Sequence, residues 1–514
     1  MHVRDIQAGP TVSVVLTACR RAGAAAALRS ALAQTHRDLQ VLVVGAGEPG
    51  GLAGLGDPRV RRLAGCGGPA GAALCRGARA ATGKYVCYLD AGAAYHRHHV
   101  RTLVEALEAS SDCGAAYGEV YRTTRRALPD GSRPVLGKVV HDRRDFDRFF
   151  LLHCEHVPLT GLMHRRSLLG RAGGFNERLD RLAAWDFCRR LALFTDFLHV
   201  ASVTGEVYVD VPPGEAAPED AEQPPAAELR EVRSARPPKP WPKMADLSIV
   251  LAPEPPAGER AAGRIAELRE HLYVPCRFYL ADPAGPSRPA DGVACLRVGR
   301  DWPWDARVDK AVRCCDGDCI AVVPPAGETT AAEITSAFHA LVRHARSDEA
   351  ILLGRPRPGA WGAVFRREQL LRARDNWPAL PIRRAAEADG VVLRPAEPDE
   401  LPFAFERGLR AAGAAEADGS FRQAAGAYEA LGREHGQVDW MNQAAAESLY
   451  RAGRQDEPAL TLCRRANAAS PSVSGLLLEA RLLRRNGRAA AARRMLERAK
   501  GILDWTPNGK EQPC

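Results

Sequence analysis

The stretch from Gly83 to Asp90 reads GKYVCYLD, a short apolar run that ends at an acidic residue. Such a run predicts a buried β-strand over Tyr85 to Leu89. Three further runs of the same kind precede it, at Thr11–Leu16, Leu39–Val44 and Val60–Leu63. Helical patterns alternate with them at Ala22–Ala33, Ala70–Ala81 and Val100–Ala109. This alternation predicts an α/β domain over residues 10–212, with a mostly parallel sheet covered on both faces.

A second α/β segment is predicted beyond a linker. The stretch from Pro212 to Pro242 is rich in Pro, Glu and Ala, and we assign residues 213–245 to the linker. Strand-like runs then recur within residues 246–398, at Leu247–Ala252, Arg277–Ala281 and Cys319–Val323. Two short sequences of the first segment have similar counterparts in the second, in the same order. Asp316–Ile320 resembles Thr82–Val86, and Ala363–Leu371 resembles Gly161–Leu169. They suggest a divergent internal duplication.

The C-terminal segment, residues 403–505, has a different pattern. Gly419, Gly453 and Gly487 are spaced by 34 residues, and a large side chain follows each of them nine residues later. A helix, a glycine turn and a second helix in 34 residues is the tetratricopeptide period. We predict an all-α solenoid of tetratricopeptide-like repeats, which could dock a partner protein. The alternative is an ordinary helical tail with chance spacing.

Composition excludes several classes of function. The chain has 514 residues, of which 46% are hydrophobic and 26% charged, and a formal net charge of +9. Because no block of Lys and Arg is present, a nucleic-acid partner is not expected. The fourteen cysteines lack paired spacing and are expected to be free thiols. With no signal peptide or long apolar stretch, we expect a cytoplasmic protein, with peripheral attachment to the inner membrane as an alternative.

The first segment resembles the inverting family-two glycosyltransferases, which have the Rossmann-like GT-A fold. The resemblance rests on motifs in the family's order, none of them specific alone. They are Leu16–Arg21 for I-P-T-Y-N-R, Ser30–Thr35 for S-x-L-x-Q-T, Val43–Glu48 for V-V-D-D-G-S, Asp57–Val60 at the third strand, Leu74–Gly77 for A-R-N-x-G, Gly83–Asp90 for G-x-Y-V-x-x-L-D, Gly173–Glu177 for G-G-F-D-E, and Trp185–Phe187 for the end of E-D-W-D-L.

The resemblance implies a nucleotide-sugar donor and a set of residues that would bind it. Those residues are Thr17, Arg21, Gly45, Gly47, Arg76 and Asp90. In the family, a D-x-D loop holds a divalent cation on the diphosphate, so Asp90 would be the ligand of Mg²⁺ or Mn²⁺. A further carboxylate deprotonates the acceptor hydroxyl. Asp186 is the residue assigned to catalysis here, although Asp180 is also near that motif.

Three loops depart from the family pattern, and each departure removes an acid. Gly45-Ala46 stands where two Asp are expected, Asp90-Ala91-Gly92-Ala93 retains only its first Asp, and Ala183-Ala184 replaces the Glu-Asp pair. Asp186 follows the missing Asp by two residues, which is a rotation of about 200° around a helix. We therefore expect it to point elsewhere. In the second segment, Val323–Ala326 stands at the D-x-D position, and we interpret that segment as structural.

Two histidine-containing stretches have both a structural and a chemical interpretation. His96, His98 and His99 could bind a metal, although a loop and helix start is favoured. The stretch His153-Cys154-Glu155-His156 could supply a nucleophile or metal ligands, with a structural role again favoured.

Two functions therefore remain open. One is an active transferase acting on a surface polysaccharide, lipid or protein acceptor, with a divalent cation. The other is a non-catalytic relative that serves as a binding scaffold through its helical repeats and uses no cofactor.

Overall fold

The structure is a computed structural model. It describes residues 10–18, 23–45, 56–65, 67–126, 128, 132–140, 144–211, 225–234, 237–253, 258–272, 274–282, 293–324, 329–353, 361–396, 404–435, 438–453, 456–469, 471 and 473–504. The chain divides into two compact units, residues 1–229 with 405–514, and residues 230–404.

The N-terminal part of the first unit is an α/β domain. Its strands are β1 Val12–Thr17, β2 Leu39–Gly45, β3 Val60–Ala64, β4 Tyr85–Asp90, β5 Ala93–Tyr95, β6 Cys113–Arg126, β7 Val135–Val140, β8 Leu162–Arg165 and β9 Asp196–Val211. Its helices are α1 Ala24–Leu32, α2 Ala70–Ala80, α3 His99–Ala109, α4 Arg148–His153, α5 Leu168–Ala172 and α6 Ala183–Leu191, with a 3-10 turn at Leu159–Gly161.

These strands form one mixed sheet. Its order is β3-β2-β1-β4-β8-β6-β9-β5, with β7 paired to β6. The four strands predicted from the apolar runs are β1 to β4, and they are parallel. Val14, Leu42 and Tyr88 are completely buried, since helices cover both faces of this part of the sheet. The later strands add antiparallel pairs, as at β4–β8.

The predicted linker contains a helix that sequence analysis missed. Helix α7 runs over Ala226–Ser234, within residues assigned to an unstructured connection. Its sequence AAELREVRS consists mostly of strong helix formers, and these outweigh the missing apolar periodicity. The Pro-rich part at 212–224 lies outside the described residues.

The second unit has its own α/β sheet. Its strands are β10 Leu247–Leu251, β11 Cys276–Asp282, β12 Val293–Arg297, β13 Cys319–Val323, β14 Glu349–Leu352, β15 Ala363–Arg366 and β16 Val392–Arg394. Its helices are α8 Gly258–His271, α9 Trp304–Cys314, α10 Ala331–Arg343, α11 Arg367–Asn376 and α12 Ile382–Ala388. The strand order is β12-β11-β10-β13-β15-β14-β16.

The C-terminal part of the first unit is helical. Its helices are α13 Ala404–Ala417, α14 Phe421–His435, α15 Val438–Ala452, α16 Asp456–Ala469, α17 Val473–Arg485 and α18 Ala489–Asp504. Gly419, Gly453 and Gly487 have φ angles of 76°, 68° and 69°, and each lies in the turn that joins two successive helices. The left-handed conformation suits glycine, which lacks a Cβ atom. Among the described residues, no helix is long and apolar enough to cross a membrane.

Candidate active site

Three of the predicted donor-binding residues meet at the carboxyl edge of the parallel strands. Thr17 ends β1, Gly45 ends β2 and Asp90 ends β4. The register pairs Thr17 with Asp90 on one side and with Val44 on the other. The Thr17 hydroxyl donates a hydrogen bond to Oδ1 of Asp90 over 3.1 Å. In open parallel sheets, this edge is where ligands bind.

The loops at this edge approach each other closely. Gly23, just before α1, has a φ angle of 124°, and a Cβ atom there would lie 2.5 Å from the carbonyl oxygen of Ala91. A Cβ atom on Gly45 would lie 3.2 Å from the Cβ of Ala18. The missing side chains therefore let Gly23 lie against Ala91, the residue after Asp90, and Gly45 lie against Ala18.

The Ser30–Thr35 motif fixes the segment that follows Asp90. The side-chain amide of Gln34 donates to the carbonyl of His96 over 2.8 Å, and its Oε1 accepts from the backbone N–H of Val100 over 3.0 Å. Ser30 accepts from the backbone N–H of Tyr95 over 3.1 Å. Ser30 and Gln34 are buried, so this motif holds α1 against β5 and the start of α3. Its role here is structural.

Asp90 is the residue predicted to bind a divalent cation. In the part of the chain that the structure describes, no three His, Cys, Asp or Glu side chains are grouped to hold a metal ion. Asp90 provides the carboxylate at this edge, and the adjacent Thr17 hydroxyl already donates to it. Mg²⁺ is commonly bound by one or two carboxylates together with substrate phosphates. The donor set therefore fits a cation that takes its other ligands from a diphosphate and water.

Of the remaining residues predicted to bind the donor, the structure describes Arg76. Arg76 lies on α2, is exposed, and donates to the carbonyl of Ala64 over 3.1 Å. Its guanidinium therefore lies near the end of β3, one strand beyond β2. Arg21 and Gly47 lie outside the described residues.

The predicted catalytic residue Asp186 is fully buried on α6. Its Oδ2 atom accepts from Nη2 of Arg190 over 2.5 Å and from Nε over 3.1 Å. Arg190 also donates to the carbonyl of Ala172. Since this ion pair fixes the carboxylate away from solvent, the geometry suits structural support better than proton transfer. This agrees with the expected rotation away from the missing acid.

The amino end of α6, where the family carries its acidic pair, binds a carboxylate from another helix. Oε2 of Glu228, on α7, accepts from the backbone N–H groups of Arg181 and Leu182 over 3.0 and 2.9 Å. Asp180 in turn accepts from the backbone N–H of Ala70, at the start of α2, over 2.7 Å. Carboxylates satisfy the free N–H groups at helix starts. Both acids therefore act as helix caps.

A buried ion pair lies beside the segment that follows Asp90. Glu206 on β9 pairs in register with Ala94 on β5, and its Oε2 lies 3.1 Å from Nζ of Lys138 on β7. The Thr123 hydroxyl donates to Oε1 of the same carboxylate. Both charged side chains are almost completely inaccessible to solvent. Sequence analysis missed this cluster because its members are far apart in the chain.

Burial keeps His96 and His99, near Asp90, in the neutral form. His99 is completely buried and stacks on Tyr95 with ring centroids 3.9 Å apart. Burial lowers its pKa to about 3. Burial, and to a lesser extent the charge of Lys138, lowers the pKa of His96 to about 3. His98 is exposed and contacts the Thr35 hydroxyl through Nδ1 over 3.1 Å. These histidines support the loop and the start of α3, the favoured interpretation.

The His153–His156 stretch separates into distinct environments. His156 is buried, with edge-on ring contacts to Phe150 and Tyr117 at centroid distances of 5.2 and 6.3 Å. His153 contacts the carbonyl of Phe149 through Nδ1 over 2.8 Å. Glu155 is exposed, yet desolvation by the surrounding protein raises the pKa of its carboxyl to about 7. One acidic residue in a stretch of mixed polarity does not allow the desolvation of its carboxyl to be predicted from sequence.

Part of the N-terminal domain is similar to a known protein family. Residues 13–168 match the model of one protein family. That family is Glycosyl transferase family 2. The matched segment includes β1 to β4 and the edge formed by Thr17, Gly45 and Asp90. No curated protein matches the chain significantly.

The solved structures that match part of the chain are distant from it in sequence. S. aureus TarS matches at 13% identity with a TM-score of 0.31, over 43% of this chain and 39% of TarS. The mannosyltransferase PcManGT from Pyrobaculum calidifontis, in complex with GDP-Man and Mn²⁺, matches at 17% identity with a TM-score of 0.30, over 45% and 66%. S. aureus TarS 1-349 in complex with UDP matches at 14% identity with a TM-score of 0.30, over 39% and 60%. The chain thus spans well under half of the first of these relatives.

Proposed function

We propose that residues 10–212 form a glycosyltransferase domain. It would transfer a sugar from a nucleotide-sugar donor to a surface polysaccharide, lipid or protein acceptor. The observation that carries the proposal is the Thr17–Asp90 pair at the carboxyl edge of four parallel strands. That edge lies within the segment that matches the family-2 glycosyl transferases.

In this proposal the residues at the edge bind and orient the donor diphosphate. Asp90 would hold Mg²⁺ or Mn²⁺, and Thr17 would orient the Asp90 carboxylate through its hydroxyl hydrogen bond. The bound cation would neutralise the charge that develops on the diphosphate leaving group. Gly45 would let the end of β2 lie against Ala18 beside the donor, since a side chain at Gly45 would meet that residue. Arg76 and Arg21 would add positive charge near the donor.

A calorimetric titration tests this assignment. Purified protein is titrated with the diphosphate-sugars of uridine, guanosine and thymidine, with and without Mn²⁺. We expect one of them to bind, and to bind more tightly with Mn²⁺. Absence of binding by every donor in both conditions would refute the transferase proposal.

The alternative function is a non-catalytic binding scaffold. The observation that favours it is the helical C-terminal part, in which the three left-handed glycines recur at the 34-residue period. We propose that α13 to α18 are three tetratricopeptide-like repeats that dock a partner protein. Under this alternative, donor titration shows no binding, while removal of residues 403–514 abolishes capture of the partner.

The second unit supports the proposed internal duplication. Its strands β12, β11, β10, β13 and β15 follow the order and direction of β3, β2, β1, β4 and β8. The echoed sequences also make the same contact: Gly83 donates its N–H to the Ser13 hydroxyl over 2.9 Å, and Gly317 donates to Ser248 over 3.0 Å. We propose that residues 246–398 descend from the same ancestral domain. They serve as structure, since apolar Val323 ends β13 where Asp90 ends β4.

A further inference from the structure

The position of the missing catalytic acid remains accessible on α6. Ala183 and Ala184 stand where the family has its acidic pair. Ala184 is partly exposed, whereas every other residue of α6 is buried. Solvent, and by extension an acceptor, can therefore reach α6 at Ala184. An alanine there cannot accept a proton, so a base must come from elsewhere if the domain is active.

The helix that precedes Glu155, α4, is hydrogen-bonded to α6. The indole N–H of Trp185 donates to the carbonyl of Leu151 over 2.7 Å, and Nε of Arg189 donates to the carbonyl of Leu152 over 2.9 Å. Both acceptors lie in α4, three and four residues before Glu155. Past Glu155, the 3-10 turn Leu159–Gly161 packs against β4, the strand that ends at Asp90. Glu155 thus lies in the short segment between α4, which is hydrogen-bonded to α6, and the turn that packs against β4.

The Glu155 carboxyl lies near Cys188 of α6. Its negative charge adds to burial in raising the pKa of the Cys188 thiol, so the two side chains are close. Cys188 follows Ala184 by four residues and therefore lies on the same face of the helix. Within the described part of the chain, the Glu155 carboxylate forms no hydrogen bond or ion pair. The side chain is exposed to solvent, and desolvation by the surrounding protein raises the pKa of its carboxyl to about 7.

We propose that Glu155 is the general base of the transfer reaction, in place of the acid missing at Ala184. The inference rests on the proposed transferase function. Glu155 removes the proton from the acceptor hydroxyl, and the hydroxyl oxygen forms a bond to the anomeric carbon of the donor sugar. The bond from that carbon to the diphosphate oxygen breaks, and the nucleoside diphosphate leaves with the electron pair. The raised pKa of about 7 suits a base that works near neutral pH.

The other nearby acids are already engaged. Asp186 is buried against Arg190. The Glu228 and Asp180 carboxylates accept backbone N–H groups at the starts of α6 and α2. Each of these has a structural task that explains its presence, whereas the exposed carboxylate of Glu155 has none among the described residues.

The test compares wild-type protein with Glu155→Gln, and uses Glu228→Gln as a matched control. The assay measures hydrolysis of UDP-glucose, UDP-N-acetylglucosamine and GDP-mannose in the presence of Mn²⁺, with water in place of the acceptor. The rate is measured as the release of the nucleoside diphosphate. We expect Glu155→Gln to lower kcat at least about 100-fold, the usual contribution of a general base. Its affinity for the nucleotide should not change. Glu228→Gln should lower Tm and keep kcat within about threefold of wild type, because a neutral amide oxygen caps the helix start more weakly than a carboxylate and the base is unchanged.

The pH dependence of kcat provides a second test. The acid limb of wild-type kcat should fall below about pH 7, and Glu155→Gln should lack that limb. The titratable and charged groups near Glu155 include Arg148 and His153 of α4, Cys154 and His156 of the same segment, Tyr117 and Glu119 of β6, and Asp186, Cys188, Arg189 and Arg190 of α6. All of them remain in Glu155→Gln, so loss of the limb would belong to Glu155.

The outcomes separate the two proposals. A wild type that binds none of the three nucleotide-sugars refutes the transferase function, and the base assignment with it. Binding without hydrolysis, or hydrolysis that is as fast in Glu155→Gln as in wild type, overturns the base assignment and leaves donor binding intact. Carboxyl-labelled glutamate followed by NMR provides a readout besides activity. A carboxyl titrating near pH 7 that disappears in Glu155→Gln supports the proposal, and its absence in wild type overturns it.

Discussion

The hydroxyl of Thr17 donates to the carboxylate of Asp90 across two neighbouring parallel strands, over 3.1 Å. The two residues are 73 positions apart in the chain and are brought together by the register of β1 with β4. This contact fixes one oxygen of the acid that the family resemblance assigns to donor binding. The orientation of Asp90 therefore depends on Thr17.

We predict that Thr17→Val weakens Mn²⁺-supported binding of a nucleoside diphosphate roughly tenfold, because a hydrogen bond to a charged group contributes about 1.5–3 kcal/mol. Valine keeps the shape of threonine and removes the donor. Thr17→Ser retains the hydroxyl and serves as the control. Calorimetric titration measures both. Equal affinity in Thr17→Val and wild type would show that the hydrogen bond has no part in binding.

Replacement of Asp186 should lower the stability of the fold and leave kcat for donor hydrolysis nearly unchanged. Asp186→Asn leaves Arg190 buried without its carboxylate, and loss of one partner of a buried pair costs about 3–5 kcal/mol. Urea unfolding should show this loss. In protein that remains folded, kcat for donor hydrolysis should stay within about threefold of wild type, since a group that is not the base contributes little to proton transfer. Normal stability with a large fall in kcat would instead make Asp186 the base.

The buried pair Lys138–Glu206 gives a similar but separable prediction. Lys138→Met alone should destabilise the protein by about 3–5 kcal/mol, because it leaves the Glu206 carboxylate buried and unpaired. The double change Lys138→Met with Glu206→Leu should recover most of that loss. Urea unfolding of the two variants measures the difference. If the double variant is less stable than Lys138→Met, the pair is not the main stabilising contact at this position.

Stability should fall as the pH is lowered through the range in which unfolded histidine titrates. Burial lowers the pKa of His99 to about 3, from an ordinary value of 6.5. Between these values the unfolded chain binds a proton that the folded protein excludes, so stability present above pH 6.5 is lost on acidification. From pH 7 to pH 5.5, this residue alone should account for about 1 kcal/mol. His99→Phe keeps the stack on Tyr95 and should flatten the dependence of unfolding on pH. An unchanged slope in His99→Phe would contradict this assignment.

The parts of the fold that sequence analysis predicts are those governed by apolar burial. Strands β1 to β4 are short runs buried on both faces, and their boundaries follow from the runs themselves. Helix α7 was missed because no apolar stripe marks it, and its glutamate acts on α6, far away in sequence. The left-handed glycines of the C-terminal helices were predictable because the same turn recurs with a fixed spacing.

The candidate site was predictable only in part. Thr17, Gly45 and Asp90 were assigned through the family resemblance, and they lie together because parallel strands in register end at the same edge. The accessibility of Ala184 and the environment of Glu155 could not, since both depend on the packing of α4 against α6. Asp186 illustrates the limit of proximity in sequence: it is near the missing acid in the chain, but the turn of the helix buries it against Arg190.

Titration of wild-type protein and Asp90→Asn with UDP and GDP, in the presence of Mn²⁺ or EDTA, tests the central claim most directly. The account predicts that wild type binds one of the two nucleotides and that Mn²⁺ strengthens binding at least about tenfold, because the cation bridges Asp90 and the diphosphate. In Asp90→Asn that gain from Mn²⁺ should disappear while the protein remains folded. Binding that is equally tight in the variant, or absent from wild type in both conditions, would contradict the claim that this edge of the sheet is a donor site.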